Sequence, residues 1–202
     1  KHREKTQLLD TGADPAINHS DYFACDSTNA FFYTRNLRII AQPEQTAERQ
    51  QAELGVAPET IDEILITHWH ADHVGRIQAF AAAQVFTGVG NWPAHLGHIG
   101  CALRTPDDFA PQSIQFVESR AGAFSRSSPR TADGRVSFVP LPGHTPGHAG
   151  VLVSDAKSYW LIAGDATFSL EQTRSEDIAG VSEGVERARR TQREMLRQIT
   201  NY

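Results

Sequence analysis

Cysteine, methionine and excess basic charge are scarce in this chain. Its 202 residues include 2 cysteines and 1 methionine, and 19 Lys and Arg face 24 Asp and Glu, a formal net charge of −5. An acidic balance offers no cationic footprint for a phosphate backbone, so no nucleic-acid partner is expected. Cys25 and Cys101 stand far apart and in no metal-ligand spacing, and they read as two reduced thiols. No apolar run approaches the roughly 20 residues of a membrane span, so no membrane partner is expected. The start, KHREKTQLLDTG, has no apolar leader segment, which makes the cytoplasm the expected compartment, with an address ahead of Lys1 left open.

What remains has the composition of a globular domain, 40% apolar and 21% charged. One domain over 1–202 is expected, with an upstream strand cut away before LLDTG. QLLD reads as a strand end turning at Asp10-Thr11-Gly12. LRIIA, ILIT, QVFTG, RVSFV, GVLVS and YWLIA read as strands, and 42–54 and 76–83 as helices. Residues 13–36 and 91–134 read as irregular, with Tyr22, Phe23 and Tyr33 as core or lid packing. Residues 183–199 read as an amphipathic helix with Val185, Ala188, Gln192, Leu196 and Ile199 on one face and Glu183–Arg187 and Glu186–Arg190 pairs on its surface. Short strands in both halves with helices interspersed favour two packed sheets covered by helices, an α/β class.

One stretch is rich where the rest is ordinary. ITHWHADHVG, directly after a candidate buried strand, places His68, His70, Asp72 and His73 within six positions. Imidazole nitrogens and carboxylate oxygens are the usual protein ligands of zinc and its neighbours. In an extended segment His68 and His70 point the same way, and Asp72 and His73 face a second position after a bend. Four ligand-type side chains exceed what one tetrahedral ion draws from one loop, so the spacing suggests two adjacent metals. Downstream, His144 in LPGHTPGH and Asp165 after the YWLIAG strand are the candidates to complete the set.

THWHADH, PGHTPGH, AGD and the early LLDTG, in this order, resemble the motifs of the metallo-β-lactamase superfamily. The resemblance implies an αββα sandwich, two mixed β-sheets flanked by helices. It implies that His68, His70 and His144 bind one divalent ion, that Asp72 and His73 bind another, and that Asp165 bridges the two, zinc being the expected metal. It also makes Asp10 a supporting turn residue and His148 a support for the His144 loop. The family completes its second site with a histidine on a strand after the last helix, whereas this chain stops at ITNY; His95 and His98 are the only nearby substitutes.

GHTPGHAGVLV, AGDATFSLEQ and ELGVAPETIDEILITHWHADH are most similar to the acyl-homoserine lactonases within the superfamily. The implied function is a hydrolase that opens a lactone or ester with a metal-bound hydroxide, on a small-molecule substrate, with Asp72 or Asp165 passing the proton to the leaving alcohol. No serine or cysteine nucleophile is required. Phe168 stands where that group has a tyrosine against the lactone, which removes a hydroxyl from the expected substrate pocket. The alternatives are the same fold acting on a thioester, phosphoester or organophosphate, and a metal-binding remnant without catalysis. A homodimer is the assembly to test.

Overall fold

The computed structural model describes residues 5–19, 21–36, 38–93, 97–98 and 100–200. The chain divides into two compact units, residues 1–86 with 97–112 and residues 87–96 with 113–202. Two four-stranded sheets carry the architecture. The first has the order β1 (Gln7–Leu9), β2 (Glu63–Ile66), β3 (Gln84–Gly88) and β4 (Gln112–Ile114). The second runs β5 (Ser128–Pro129), β6 (Val136–Pro140), β7 (Ala149–Ser154) and β8 (Tyr159–Ile162).

β1 and β2 are parallel, with Leu8 opposite Ile64. Parallel strands covered on both faces read as continuous apolar runs, and β2 is buried at every position. Glu63 is tolerated there because Lys5 Nζ and Gln7 Nε2 donate to its carboxylate at 2.6 and 2.8 Å. The second sheet is antiparallel at all three pairings, where a mixed sheet was expected. Buried Val139, Leu141 and Leu152 join Phe124 and Met195 in its core. A consecutive β-strand can return by a tight antiparallel turn, which is why RVSFV, GVLVS and YWLIA pair in sequence order.

The helices are α1 (Ser27–Asn36), α2 (Ala47–Glu53), α3 (Ala71–Val74), α4 (Leu170–Ser175) and α5 (Val185–Thr200). α1 lies in a stretch read as irregular; it buries Tyr33 with Phe23, Tyr22, Ile17 and Ala71. The expected helix over 42–54 is broken at Thr46, whose ψ of 150° is extended, so a 3-10 turn at Pro43–Gln45 precedes α2. The expected helix over 76–83 contracts to a 3-10 turn at Ile77–Phe80. Residues 38–41 form no strand, and β4 and β5 are short strands inside the stretch read as irregular. Three-residue strands carry too few side chains to show a period.

α5 forms as expected, but its buried stripe is Ala188, Thr191, Gln192, Met195 and Gln198, while Val185 and Ile199 remain 46% and 44% exposed. Polar side chains take the inner face because they satisfy backbone groups of neighbouring segments: Thr191 Oγ1 donates to the Pro142 carbonyl at 2.7 Å, and Gln198 Oε1 accepts from Ala123 N. On the outer face Glu186 pairs with Arg189 rather than Arg190, and Arg193 with Glu176. Cys25 is disulfide-bonded and no described cysteine is free, which overturns the expectation of two reduced thiols. Two isolated cysteines have no spacing from which a bond can be read; the fold alone sets the approach of sulfurs.

Arg76, just after the histidine loop, ties α2 and the Asp14 turn to it, donating from Nη1 to Asp14 Oδ2 at 3.1 Å and from Nε to Glu48 Oε1 at 3.0 Å. Burial pushes the Glu48 carboxyl up, but the Arg76 hydrogen bond and charge outweigh it, and the group titrates below its ordinary range. A depressed folded value stabilises the fold above the unfolded carboxylate range and loses that contribution as pH falls through the folded value. E48Q is therefore expected to unfold at lower temperature than the parent at pH 7. The gap should narrow as thermal melts are moved down through the ordinary Glu range, about pH 4.3, and below it.

Candidate metal centre

In the first unit, β2 delivers Thr67 and His68 at its end, and His70 is the residue from which α3 starts. Thr67 and His68 are fully buried. His68 Nε2 lies 2.9 Å from His70 Nδ1, and the ring centroids of His68 and His73 are 4.0 Å apart. Asp72 Oδ2 is 3.8 Å from His73 Nε2. All four ligand candidates of the loop thus gather at one strand end.

Asp10 organises them. It sits in the turn after β1 with φ of +53°, a left-handed conformation that Asp tolerates better than most residues. Its Oδ1 accepts from Thr67 N at 2.8 Å, and its Oδ2 accepts from Thr67 Oγ1 at 2.8 Å and lies 2.8 Å from His73 Nδ1. A carboxylate can only accept, so His73 carries its proton on Nδ1 and presents Nε2 as the basic nitrogen, the arrangement that orients a metal-binding imidazole. Thr67 Oγ1 is also 3.1 Å from His68 Nδ1. Thr11 N donates to the His73 carbonyl at 2.7 Å and Gly75 N to the Gly12 carbonyl at 2.9 Å, so LLDTG is laced along the whole histidine loop. Gly97, with φ of +82°, passes so close to the His70 ring that a Cβ there would meet Nε2 at 2.6 Å. Only glycine fits that approach.

In the second unit, the loop between β6 and β7 carries His144 and His148, both buried. Gly143 adopts φ of +148° against the backbone of Ala188 on α5, a contact that leaves no room for a side chain. Thr145 Oγ1 donates to Asn91 Oδ1 at 2.7 Å, and Asn91 Nδ2 donates to Thr87 Oγ1 at 3.2 Å. Asp165 follows Gly164, whose φ is +51°, at the turn beyond β8. Its backbone N–H donates to His148 Nε2 at 3.2 Å, and its Oδ2 is 3.6 Å from His144 Nε2. His148 therefore supports the Asp165 turn as well as its own loop.

The donor chemistry within each set fits a divalent cation. The buried His68 ring and the half-buried His70 ring face each other with nitrogens 2.9 Å apart and cannot both be protonated without strong repulsion, and neutral imidazole beside carboxylate is the ligand combination of zinc-type ions. Phe168 is 63% exposed, so it is not the core residue that simple packing would make it. His98 packs beside the Trp69 ring, and His95 lies outside the described residues. Thr67, Asn91 and Gly97 have supporting roles that the sequence did not single out; Thr67 had a signal, as the first letter of the THWHADH motif. Gly180-Val181-Ser182-Glu183-Gly184 also fits the letters G-x-S-x-G, although no serine nucleophile was expected. The nucleophile elbow of that name needs a strand feeding a turn into a helix, whereas α4 precedes this loop.

A family model for the metallo-beta-lactamase superfamily matches residues 42–198. Proteins of Mycobacterium bovis and Mycobacterium tuberculosis, each described as a probable metallo-hydrolase, are 30% identical over 140 residues, which is 65% of this chain and 45% of theirs. The chain thus spans less than half the length of these relatives. An N-acyl homoserine lactone hydrolase solved with N-hexanoyl-L-homoserine at its catalytic metal centre superposes with a TM-score of 0.69 at 18% identity, covering 98% of this chain and 73% of that one. That likeness establishes the metallo-β-lactamase-like α/β fold. With the motifs in order, the fold matched and more than three quarters of the sequence within the family model, the chain belongs to the metallo-beta-lactamase superfamily.

Proposed function

We propose that the chain carries the metal-binding core of a metal-dependent hydrolase whose substrate is a lactone or ester, an N-acyl homoserine lactone first among them. In this reading His68, His70 and His144 hold one divalent ion, Asp72 and His73 a second, and Asp165 serves both, with zinc the metal that suits such nitrogen and oxygen donors. The observation that carries the proposal is the His68–His70 pair, nitrogens 2.9 Å apart, beside a His73 whose Nδ1 is committed to Asp10. Family membership supports it, because the matched motifs are those that bind metal in the superfamily. The lactone preference is supported by the lactone hydrolase among the structural neighbours and by the apolar walls, Leu141, Ile178 and Ala179, that stand beside His144 and Asp165.

Divalent ions so bound acidify water and polarise a carbonyl oxygen. The residues of the chain do the rest. Asp10 and Thr67 hold the imidazoles in one tautomer and orientation, so little reorganisation is needed as charge develops at the substrate. His148 holds the Asp165 backbone at the β8 turn, which fixes the carboxylate beside His144. Asp72 and Asp165 are the carboxylates able to carry a proton from attacking water to the departing alkoxide. Apolar walls next to these groups exclude bulk water and strengthen each electrostatic contact.

Hydrolysis of N-hexanoyl homoserine lactone by the purified chain should vanish on exhaustive chelation and return with Zn²⁺. Panels of thioester, phosphoester and simple lactone substrates decide the bond class, and activity confined to one of the first two would replace the lactone reading. Elemental analysis close to two metals per chain is expected; one per chain would reduce the centre to a mononuclear site, and H68A and H144A should each lose metal. D10N keeps the side-chain shape and the tolerance for positive φ while removing the charge behind His73. It is expected to weaken metal binding by roughly 10–100-fold in a chelator competition, with an unchanged circular dichroism spectrum.

A further inference from the structure

Gln192 is 1% exposed on the inner face of α5, in the second unit. Its Nε2 donates to the Asp177 carbonyl at 2.9 Å, and that contact fixes the amide orientation, since the oxygen cannot donate. Its Oε1 is buried and has no hydrogen-bond partner among the described residues. Buried acceptors left in this way are rare and destabilising, and they call for an explanation in the use of the protein.

Gln192 shares one pocket with His144 and Asp165 and with the apolar side chains Leu141, Ile178 and Ala179. The pocket is a slit with no room for a water molecule, so solvent does not reach the oxygen as the walls stand. One wall is the segment 178–182. Among the described residues its hydrogen bonds to other segments lie at its ends: the Asp177 carbonyl accepts from Gln172 Nε2 and Gln192 Nε2, Glu183 N donates to the His144 carbonyl, and Gly184 N to the Gly143 carbonyl. Between these anchors a Cβ added at Gly180 would meet no atom within 4 Å, and Val181 is exposed. Entry of a ligand group requires this wall to part between its two anchors.

The geometry points to Gln192 as a specificity-determining residue: its Oε1 accepts a hydrogen bond from a donor on the substrate, an amide N–H placed next to the carbonyl that lies against His144 and Asp165. The inference rests on the reading of those two residues as part of the hydrolytic centre, and it adds that Gln192 is the residue that sets a preference for an N-acyl compound over a plain lactone or ester. Recognition of this kind discriminates strongly, because an analogue without the donor leaves the acceptor buried and unpaired.

The test is calorimetric binding of two compounds that the enzyme does not consume. One is ring-opened N-hexanoyl-L-homoserine, and the other its ketomethylene analogue, in which a CH2 group replaces the amide N–H and leaves no bond to hydrolyse. The parent chain, loaded with Zn²⁺, should bind the amide roughly tenfold tighter than the ketomethylene compound, the range of one satisfied hydrogen bond. Q192L should bind both with equal, weaker affinity, and its melting temperature should not fall, since leucine buries no orphan acceptor and Asp177 keeps its bond from Gln172. No preference in the parent, no measurable binding of either compound, or an equal loss for both in Q192L with a lowered melting temperature would each overturn the inference. Selective binding without hydrolysis of the corresponding lactone would leave it standing and remove the lactonase reading.

Discussion

The carboxylate of Asp10 is the constraint on which the histidine loop depends. A loop carrying three imidazoles and an aspartate would, by itself, sample many ring orientations and protonation states. Asp10 removes that freedom by accepting from Thr67 N and Thr67 Oγ1 and by holding His73 Nδ1. The aspartate can do so because it stands in a left-handed turn at the end of β1, one strand away from β2 in a parallel pair. Backbone strain of this kind persists only where the surroundings over-determine it, and here Asp10 N also donates to the Leu65 carbonyl. The fold thus spends conformational energy at the turn and recovers it as order among the ligand candidates.

The second unit solves the same problem with different parts. The His144 loop is secured by Gly143 against α5, by Thr145 on Asn91, and by the His148 bond to the Asp165 backbone. Buried polar side chains on α5 extend this scheme. Thr191 and Gln198 each satisfy a backbone group of a neighbouring loop, which ties the helix to the segments before β5 and before β7. Gln192 is the member of that stripe whose acceptor the fold leaves over. Gln198 Nε2 on the same stripe is likewise left without a partner among the described residues, and Gln192 differs in standing beside His144 and Asp165.

Local pattern was enough wherever a residue's role is set by its immediate neighbours in the chain. The strands around the two histidine loops, the strand end at Asp165 and the long helix after Gly184 were legible because apolar period and glycine punctuation act over a few residues. The cluster from His68 to His73 was legible for the same reason: its density of imidazole has no use in an ordinary core. α1 was not legible, since STNAFFYTRN has weak helical periodicity and forms around Tyr33, which packs on Phe23 from an earlier turn. Nor was the break at Thr46, where a 3-10 turn wins over continuation of the helix.

By itself, then, the sequence determined the types of side chain available for chemistry, their order, and the strand ends that carry them. Tertiary structure alone decided which partner each of those side chains has. That Asp10 meets His73 across 63 positions, that Gly97 rather than any larger residue passes the His70 ring, that Cys25 is bonded, and that Gln192 turns inward while Val185 and Ile199 face outward, are outcomes of packing between segments remote in the chain. The physical reason is that hydrogen bonds and van der Waals contacts act over a few ångströms in space, whereas periodicity and spacing report only on distance along the backbone.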